Sequence, residues 1–168
     1  MSSNRVPDWA PTLAQVQPRP EAGLWFRIVP RIYREWIDSD EGAKRRGGRY
    51  NPPGEFGALY LSANPEGCLA ELATRTDTPP NLCEGTIEVR LDRVCDLTDQ
   101  ATREILGVAL TDLTGPDWTV TQQLGRAIRD AGFQGIRVPS AVGPHINLVV
   151  FRDRAAPEAV TIRTFRDL

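Results

Sequence analysis

Histidine is almost missing from this chain: His145 is the only one among 168 residues. Cysteine is scarce, with Cys68, Cys83 and Cys95 far apart and no Cys-x-x-Cys pair. Metal centres draw on these two residue types at short spacings, so no metal site is expected. An odd number of scattered cysteines also argues against a disulfide framework; reduced thiols in a cytoplasmic protein are expected. No stretch approaches the ~18 consecutive apolar residues of a membrane-spanning helix. A basic N-terminal stretch leading into an apolar segment is missing too, which argues against secretion. Nor is there an excess of positive charge, since Lys and Arg number 20 against 22 Asp and Glu, a net charge of −2. General nucleic-acid and membrane-surface binders need a broad positive field, so neither direct DNA binding nor membrane association is expected.

What remains is an ordinary globular composition, 40% hydrophobic and 25% charged, in a chain long enough for one domain. Residues 1–23 carry Pro7, Pro11, Pro18 and Pro20 and few large apolar residues, which predicts an extended arm outside the core. Residues 24–168 then form a single folded domain. Within it, strands are expected at Leu24–Val29, Ala58–Ser62, Thr86–Leu91, Val94–Leu97, Gly135–Val138, Ile146–Phe151 and Ala159–Ile162. A short helix is one reading of Ile32–Ile37. Residues 42–57, rich in Gly and Pro, predict a shaped loop with a short strand at Arg49–Asn51. Helices are expected after Asn64, with Pro65 at the first helical position, over residues 99–106, and over 117–131. In the last of these Val120, Leu124, Ala127, Ile128 and Ala131 form one stripe and Gly132 suits the end. Short strands with interspersed helices predict a mixed α+β fold of short, mostly antiparallel strands, not a doubly wound sheet.

The chemistry concentrates in a few places. Lys44, Arg45 and Arg46 precede Gly47, Gly48, Arg49, Tyr50, Asn51, Pro52, Pro53 and Gly54. Adjacent glycines let a ligand approach the backbone, Arg49 supplies a planar fork that matches phosphate or carboxylate, and the Asn-Pro-Pro-Gly turn stiffens the loop. That is an anion site; a solvated basic hairpin is the competing reading. Glu71, in the helix after Asn64, is either an exposed partner of Arg75 four residues on or a catalytic carboxylate. Arg27 interrupts an apolar strand and faces either solvent or a cleft. Tyr60 is either a core aromatic or a ring that stacks on a flat ligand. Ser140 lies five residues before His145, but no Gly-x-Ser-x-Gly elbow is present and a serine hydrolase is not expected.

Taken in order, these segments resemble the RES domain, the toxin of RES–Xre toxin–antitoxin pairs, named for an arginine, a glutamate and a serine. The resemblance runs from about Leu24 to Phe151. It rests on Phe26-Arg27, Gly47 to Gly54, Ala58 to Ser62, Glu71, Val138-Pro139-Ser140-Ala141 and Asn147. Tyr50 departs from the tryptophan usual in the motif but keeps an aromatic ring.

The resemblance implies an ADP-ribosyltransferase-like fold and an enzyme that consumes NAD+ by cleaving the nicotinamide–ribose bond. Positive charge then grows on the ribose, and Glu71 is the carboxylate to stabilise it. Arg27 and Arg49 are implied to hold the pyrophosphate or ribose region, with Gly47, Gly48, Tyr50 and Asn51 shaping that wall. Tyr60 would stack on nicotinamide, Ser140 would hydrogen-bond the substrate or orient Glu71, and Asn147 would belong to the NAD+-binding set. No metal is required. ADP-ribose would pass to water or phosphate; transfer to a protein and a non-catalytic nucleotide- or RNA-binding module are the alternatives. The resemblance also implies a partner, an Xre-type helix-turn-helix antitoxin that binds DNA and blocks the cleft, so that this chain leaves DNA contact to it.

Overall fold

The computed structural model describes residues 6–75 and 81–168. The fold is the expected mixed α+β arrangement with a mostly antiparallel sheet. Its strands are β1 (Arg19–Pro30), β2 (Leu59–Ser62), β3 (Leu82–Asp96), β4 (Gly135–Pro139), β5 (Ile146–Val150) and β6 (Val160–Asp167). The helices are α1 (Ala10–Leu13), α2 (Glu41–Arg46), α3 (Pro65–Ala73), α4 (Gln100–Leu106), α5 (Leu110–Thr114) and α6 (Thr119–Asp130). A 3-10 turn spans Arg31–Trp36, where a short helix was one reading. No described helix is long and apolar enough to cross a membrane.

The strands run β1-β2-β5-β4-β3-β6, and β1 pairs with β3 as well. That second pairing closes a ring of five strands, with β6 outside it on β3. Two links join the antiparallel groups: the contact of Phe26 with Ser62, and the parallel pairing of Val94–Asp96 with Gly135–Arg137. Alternating side chains of Leu59, Leu61, Ile87, Val89, Leu148 and Val150 fill one side, together with Trp25. The opposite side, from Ala58, Ile136, Val138 and Val149, packs under α6 through Leu124 and Ile128.

Several elements differ from expectation, each for a local reason. The segment before residue 24 is not an extended arm where it is described; residues 1–5 of it lie outside the described residues. Trp9, Leu13 and Val16 are buried in the core beside α6, and Trp9 donates its indole N–H to the Leu106 carbonyl at 3.0 Å. The prolines are accommodated, not disruptive. Pro11 sits in the first turn of α1, where a missing N–H costs nothing, and Pro20 sits where the β1–β3 register skips between Arg19 and Glu21.

The two strands expected around Asp92 are one strand, β3. Gln134 Oε1 accepts from the backbone N–H of both Asp92 and Arg93, at 2.7 and 3.0 Å, and bridges the interruption. The loop expected from residue 42 begins with α2, entered through the Ser39 hydroxyl accepting from Glu41 N at 3.2 Å. β6 outlasts its apolar pattern because Arg163 and Arg166 pair across the ladder with Glu88 and Glu84.

Candidate active site

Glu71 lies on α3, whose N-terminus is fixed by Asn64 accepting from Gly67 N at 2.8 Å. It forms no ion pair with Arg75 among the described residues. Instead Ser140 Oγ donates to Glu71 Oε1 at 2.8 Å, and Asn147 Nδ2 donates to the same oxygen at 2.9 Å. Ser62 Oγ donates to Asn147 Oδ1 at 3.0 Å. The carboxylate settles the amide orientation: it only accepts, so the Asn147 nitrogen must face it, and Oδ1 is left to accept from the Ser62 hydroxyl. Both bonds fall on Oε1, and Oε2 has no hydrogen-bond partner among the described residues.

Sheet geometry builds this chain of contacts. Ser62 ends β2 directly opposite Asn147 on β5, and Val138, two residues before Ser140, also lies opposite Asn147. The turn from Ser140 to His145 is closed by Ser140 N donating to the His145 carbonyl at 2.8 Å. Ser62 was missed by the sequence reading, since nothing local marks a serine at a strand end as the partner of a distant asparagine.

Tyr60 lies two residues before Ser62 on the same face of β2, about 7 Å along the strand. Its hydroxyl accepts from Tyr50 N at 3.0 Å and donates to Asn51 Oδ1 at 2.7 Å. Asn51 Nδ2 donates to the carbonyls of Ala43 and Phe56, at 2.8 and 3.1 Å. Tyr60 therefore ties the arginine loop to the strand that carries Ser62. Burial pushes the Tyr60 phenol well above its ordinary range, so it stays protonated as the donor to Asn51.

Four expected contacts with a ligand are used differently. Tyr50 is 2% exposed and Asn51 0% exposed, so both belong to the scaffold of the loop and neither faces a ligand in this conformation. For Tyr50 the reason is α6, which packs directly over its backbone: a Cβ on Gly125 would lie 1.9 Å from the Tyr50 carbonyl oxygen. Asn51 is enclosed by its own partners, Tyr60, Ala43 and Phe56. Gly47 and Gly48 make room for the chain's own atoms. A Cβ on Gly48 would meet the Tyr60 hydroxyl at 2.4 Å, and one on Gly47 would meet Pro53 Cδ at 2.9 Å.

Arg49 projects from this loop and is half-buried. One of its nitrogens donates to the Gly115 carbonyl at 2.5 Å, and its guanidinium carbon lies 5.6 Å from the centre of the Trp118 ring. Its other N–H groups have no hydrogen-bond partner among the described residues. Arg27, one residue past the β1 contact with Ser62, donates to the carbonyls of Ile37 and Ser39 at 2.8 and 2.9 Å. Burial and the nearby Arg75 lower its proton affinity, while Cys68, Asp38 and Asp40 oppose the shift. Lys44, Arg45 and Arg46 are exposed in the last turn of α2, where they complement the helix dipole.

The arrangement offers one carboxylate, its second oxygen without a partner among the described residues, and two restrained guanidinium groups. Among the described residues no group of three or more His, Cys, Asp and Glu side chains could hold a metal ion. All three cysteines are free and buried.

Comparison with known proteins completes the picture. The model of the family described as RES domain matches residues 24–167. NAD(+) phosphorylase MbcT of Mycobacterium tuberculosis is 33% identical over 170 residues, covering 88% of this chain and 91% of that protein. A second M. tuberculosis protein, described as a probable NAD(+) phosphorylase, is 41% identical over 141 residues, 80% of this chain and 66% of its own. Among solved structures, the crystal structure of the M. tuberculosis MbcT–MbcA toxin–antitoxin complex aligns with a TM-score of 0.80 at 28% identity, covering 95% of this chain and 91% of the matched chain.

Proposed function

The chain belongs to the RES domain family, and on that premise we propose that it is the toxin of a toxin–antitoxin pair, an enzyme that consumes NAD+ by phosphorolysis. The bond between the ribose anomeric carbon and the nicotinamide nitrogen breaks, its electron pair leaving with the ring. A bond from that carbon to an oxygen of inorganic phosphate forms. The observation that carries this reading is the Glu71 carboxylate, oriented through Oε1 by Ser140 and Asn147, with Oε2 unpartnered among the described residues. A carboxylate fixed in this way stabilises positive charge developing on the ribose without having to reorganise during the reaction.

Arg27 and Arg49 hold the pyrophosphate and ribose region, each keeping N–H groups beyond those used on backbone carbonyls. Tyr60 uses its hydroxyl within the chain, so it offers nicotinamide only its ring face. Ser140, Asn147 and Ser62 orient the carboxylate, and no step calls for a metal. Residues 24–168 form the catalytic unit. The partner is a helix-turn-helix antitoxin of Xre type that covers the cleft, and the pair acts in the cytoplasm. Support for a partner comes from the MbcT–MbcA complex, a toxin held by its antitoxin.

The test is product identity. Purified chain given NAD+ and labelled inorganic phosphate is expected to release nicotinamide and to place the label on ADP-ribose. Label-free ADP-ribose made at the same rate without phosphate would make it a glycohydrolase. Label from NAD+ carried onto protein would make it a transferase.

A further inference from the structure

The loop that carries Arg49 is braced from within by Asn51 and from β2 by Tyr60. A further set of supports, which reach Arg49 itself, comes from one distant element, the turn Gly115–Trp118 and helix α6. Gly115 offers its carbonyl to the Arg49 guanidinium at 2.5 Å. The Trp118 ring lies beneath the same guanidinium, 5.6 Å away, and is still 42% exposed. One turn further along, Gln122 Nε2 donates to the Gly48 carbonyl at 3.0 Å. Gly125, another turn on, leaves space that the Tyr50 backbone occupies. Residues 118, 122 and 125 recur at helical spacing, so one face of α6 and its N-terminal cap meets Arg49, Gly48 and Tyr50.

A long guanidinium side chain at a cleft wall loses considerable rotamer freedom when it grips an anion. Holding it beforehand lowers that cost at the moment of binding. We propose that Trp118 and Gln122 are positioning residues that pre-set Arg49 for the anionic part of the substrate. They act through Arg49 and do not touch the reacting atoms. The inference rests on the reading of Arg49 as a substrate-binding residue.

Two measurements on the full chain test it separately. The first needs no NAD+: the Arg49 side-chain resonance, read by nitrogen-15 NMR in wild type and in Trp118→Ala, with Arg49→Lys used for assignment. Trp118→Ala is expected to shift and broaden it, whereas Trp118→Phe, which keeps a ring, is expected to preserve most of the wild-type signal. An unchanged resonance in Trp118→Ala overturns the proposal whatever the substrate proves to be. The second is kinetic. Trp118→Ala and Gln122→Ala are each expected to raise KM for NAD+ about threefold to tenfold with kcat within about twofold. In an Arg49→Lys background the Trp118→Ala effect is expected to vanish. A full Trp118→Ala effect in that background overturns positioning through Arg49. An Arg49→Lys variant with wild-type KM overturns the reading of Arg49 itself, and the kinetic inference with it.

Discussion

Asn147 turns its amide nitrogen, not its oxygen, towards Glu71, 2.9 Å from Oε1, because a carboxylate only accepts; the Ser62 hydroxyl holds the amide oxygen from the other side at 3.0 Å. If Ser62 acts only by holding that amide, its removal harms the enzyme through Asn147. Ser62→Ala and Asn147→Ala are each expected to lower kcat/KM about tenfold, the size of one hydrogen bond to a charged group. The double variant is expected to be no worse than Asn147→Ala alone. Additive losses in the cycle would show that Ser62 works by another route.

Tyr60 supports the arginine loop through a hydroxyl that accepts one bond and donates another. Tyr60→Phe leaves the Tyr50 N–H and Asn51 Oδ1 without that partner, at a cost of about 1–3 kcal/mol. Thermal unfolding is expected to fall by several degrees, and KM for NAD+ to rise as the loop loosens. Wild-type melting in this variant would contradict a supporting role for the hydroxyl.

Two glycines in helices are expected to respond with opposite sign to alanine. Gly42 on α2 has no atom within 4 Å of a built Cβ, so Gly42→Ala is expected to stabilise by about 0.5–1 kcal/mol. On α6, a Cβ at Gly125 would lie 1.9 Å from the Tyr50 carbonyl oxygen, so Gly125→Ala is expected to destabilise despite the better helix propensity. Urea denaturation of the two variants decides both.

Alkaline pH tests the core. Burial pushes the Cys68 thiol up to about 11, with the Ser62 hydrogen bond opposing and Glu84 adding. Burial, then the Asp96 carboxylate, pushes Cys95 up to about 12. Unfolding returns both thiols to their ordinary value of 9.0. Between those values the unfolded chain has lost protons that the folded chain keeps, so stability is full below about pH 9 and falls as pH rises towards 12. Denaturation midpoints between pH 8 and 11 are expected to fall accordingly, and Cys95→Ala to flatten the slope. A flat profile in the wild type would contradict the burial of these thiols.

The fold class, the long stripe on α6 and the capped start of α3 were legible because short-range pattern decides them. Strand lengths were less so: β3 continues past Asp92 only because Gln134, 42 residues away in sequence, completes its backbone bonds. The N-terminal segment looked like an arm because proline content says where a chain avoids regular structure. It does not say whether Trp9 and Leu13 find a core to enter. At the site, helical periodicity suggested an ordinary Glu71–Arg75 pair, and the order of motifs shared with a family pointed elsewhere. The deciding geometry, Ser140 and Asn147 converging on one oxygen, depends on the pairing of β4 with β5. What the glycine pair makes room for was not legible for the same reason: an open backbone looks alike in sequence whether a ligand or Tyr60 fills the space.

Glu71→Gln is the most direct test of the central claim, that this carboxylate drives NAD+ cleavage. The amide keeps an oxygen to accept from Ser140 and Asn147, so the unfolding temperature is expected to stay within a few degrees of wild type. Nicotinamide release at saturating NAD+ and phosphate is expected to fall by about a hundredfold or more, the scale of a lost electrostatic stabiliser. Wild-type release from a folded Glu71→Gln protein would contradict the account.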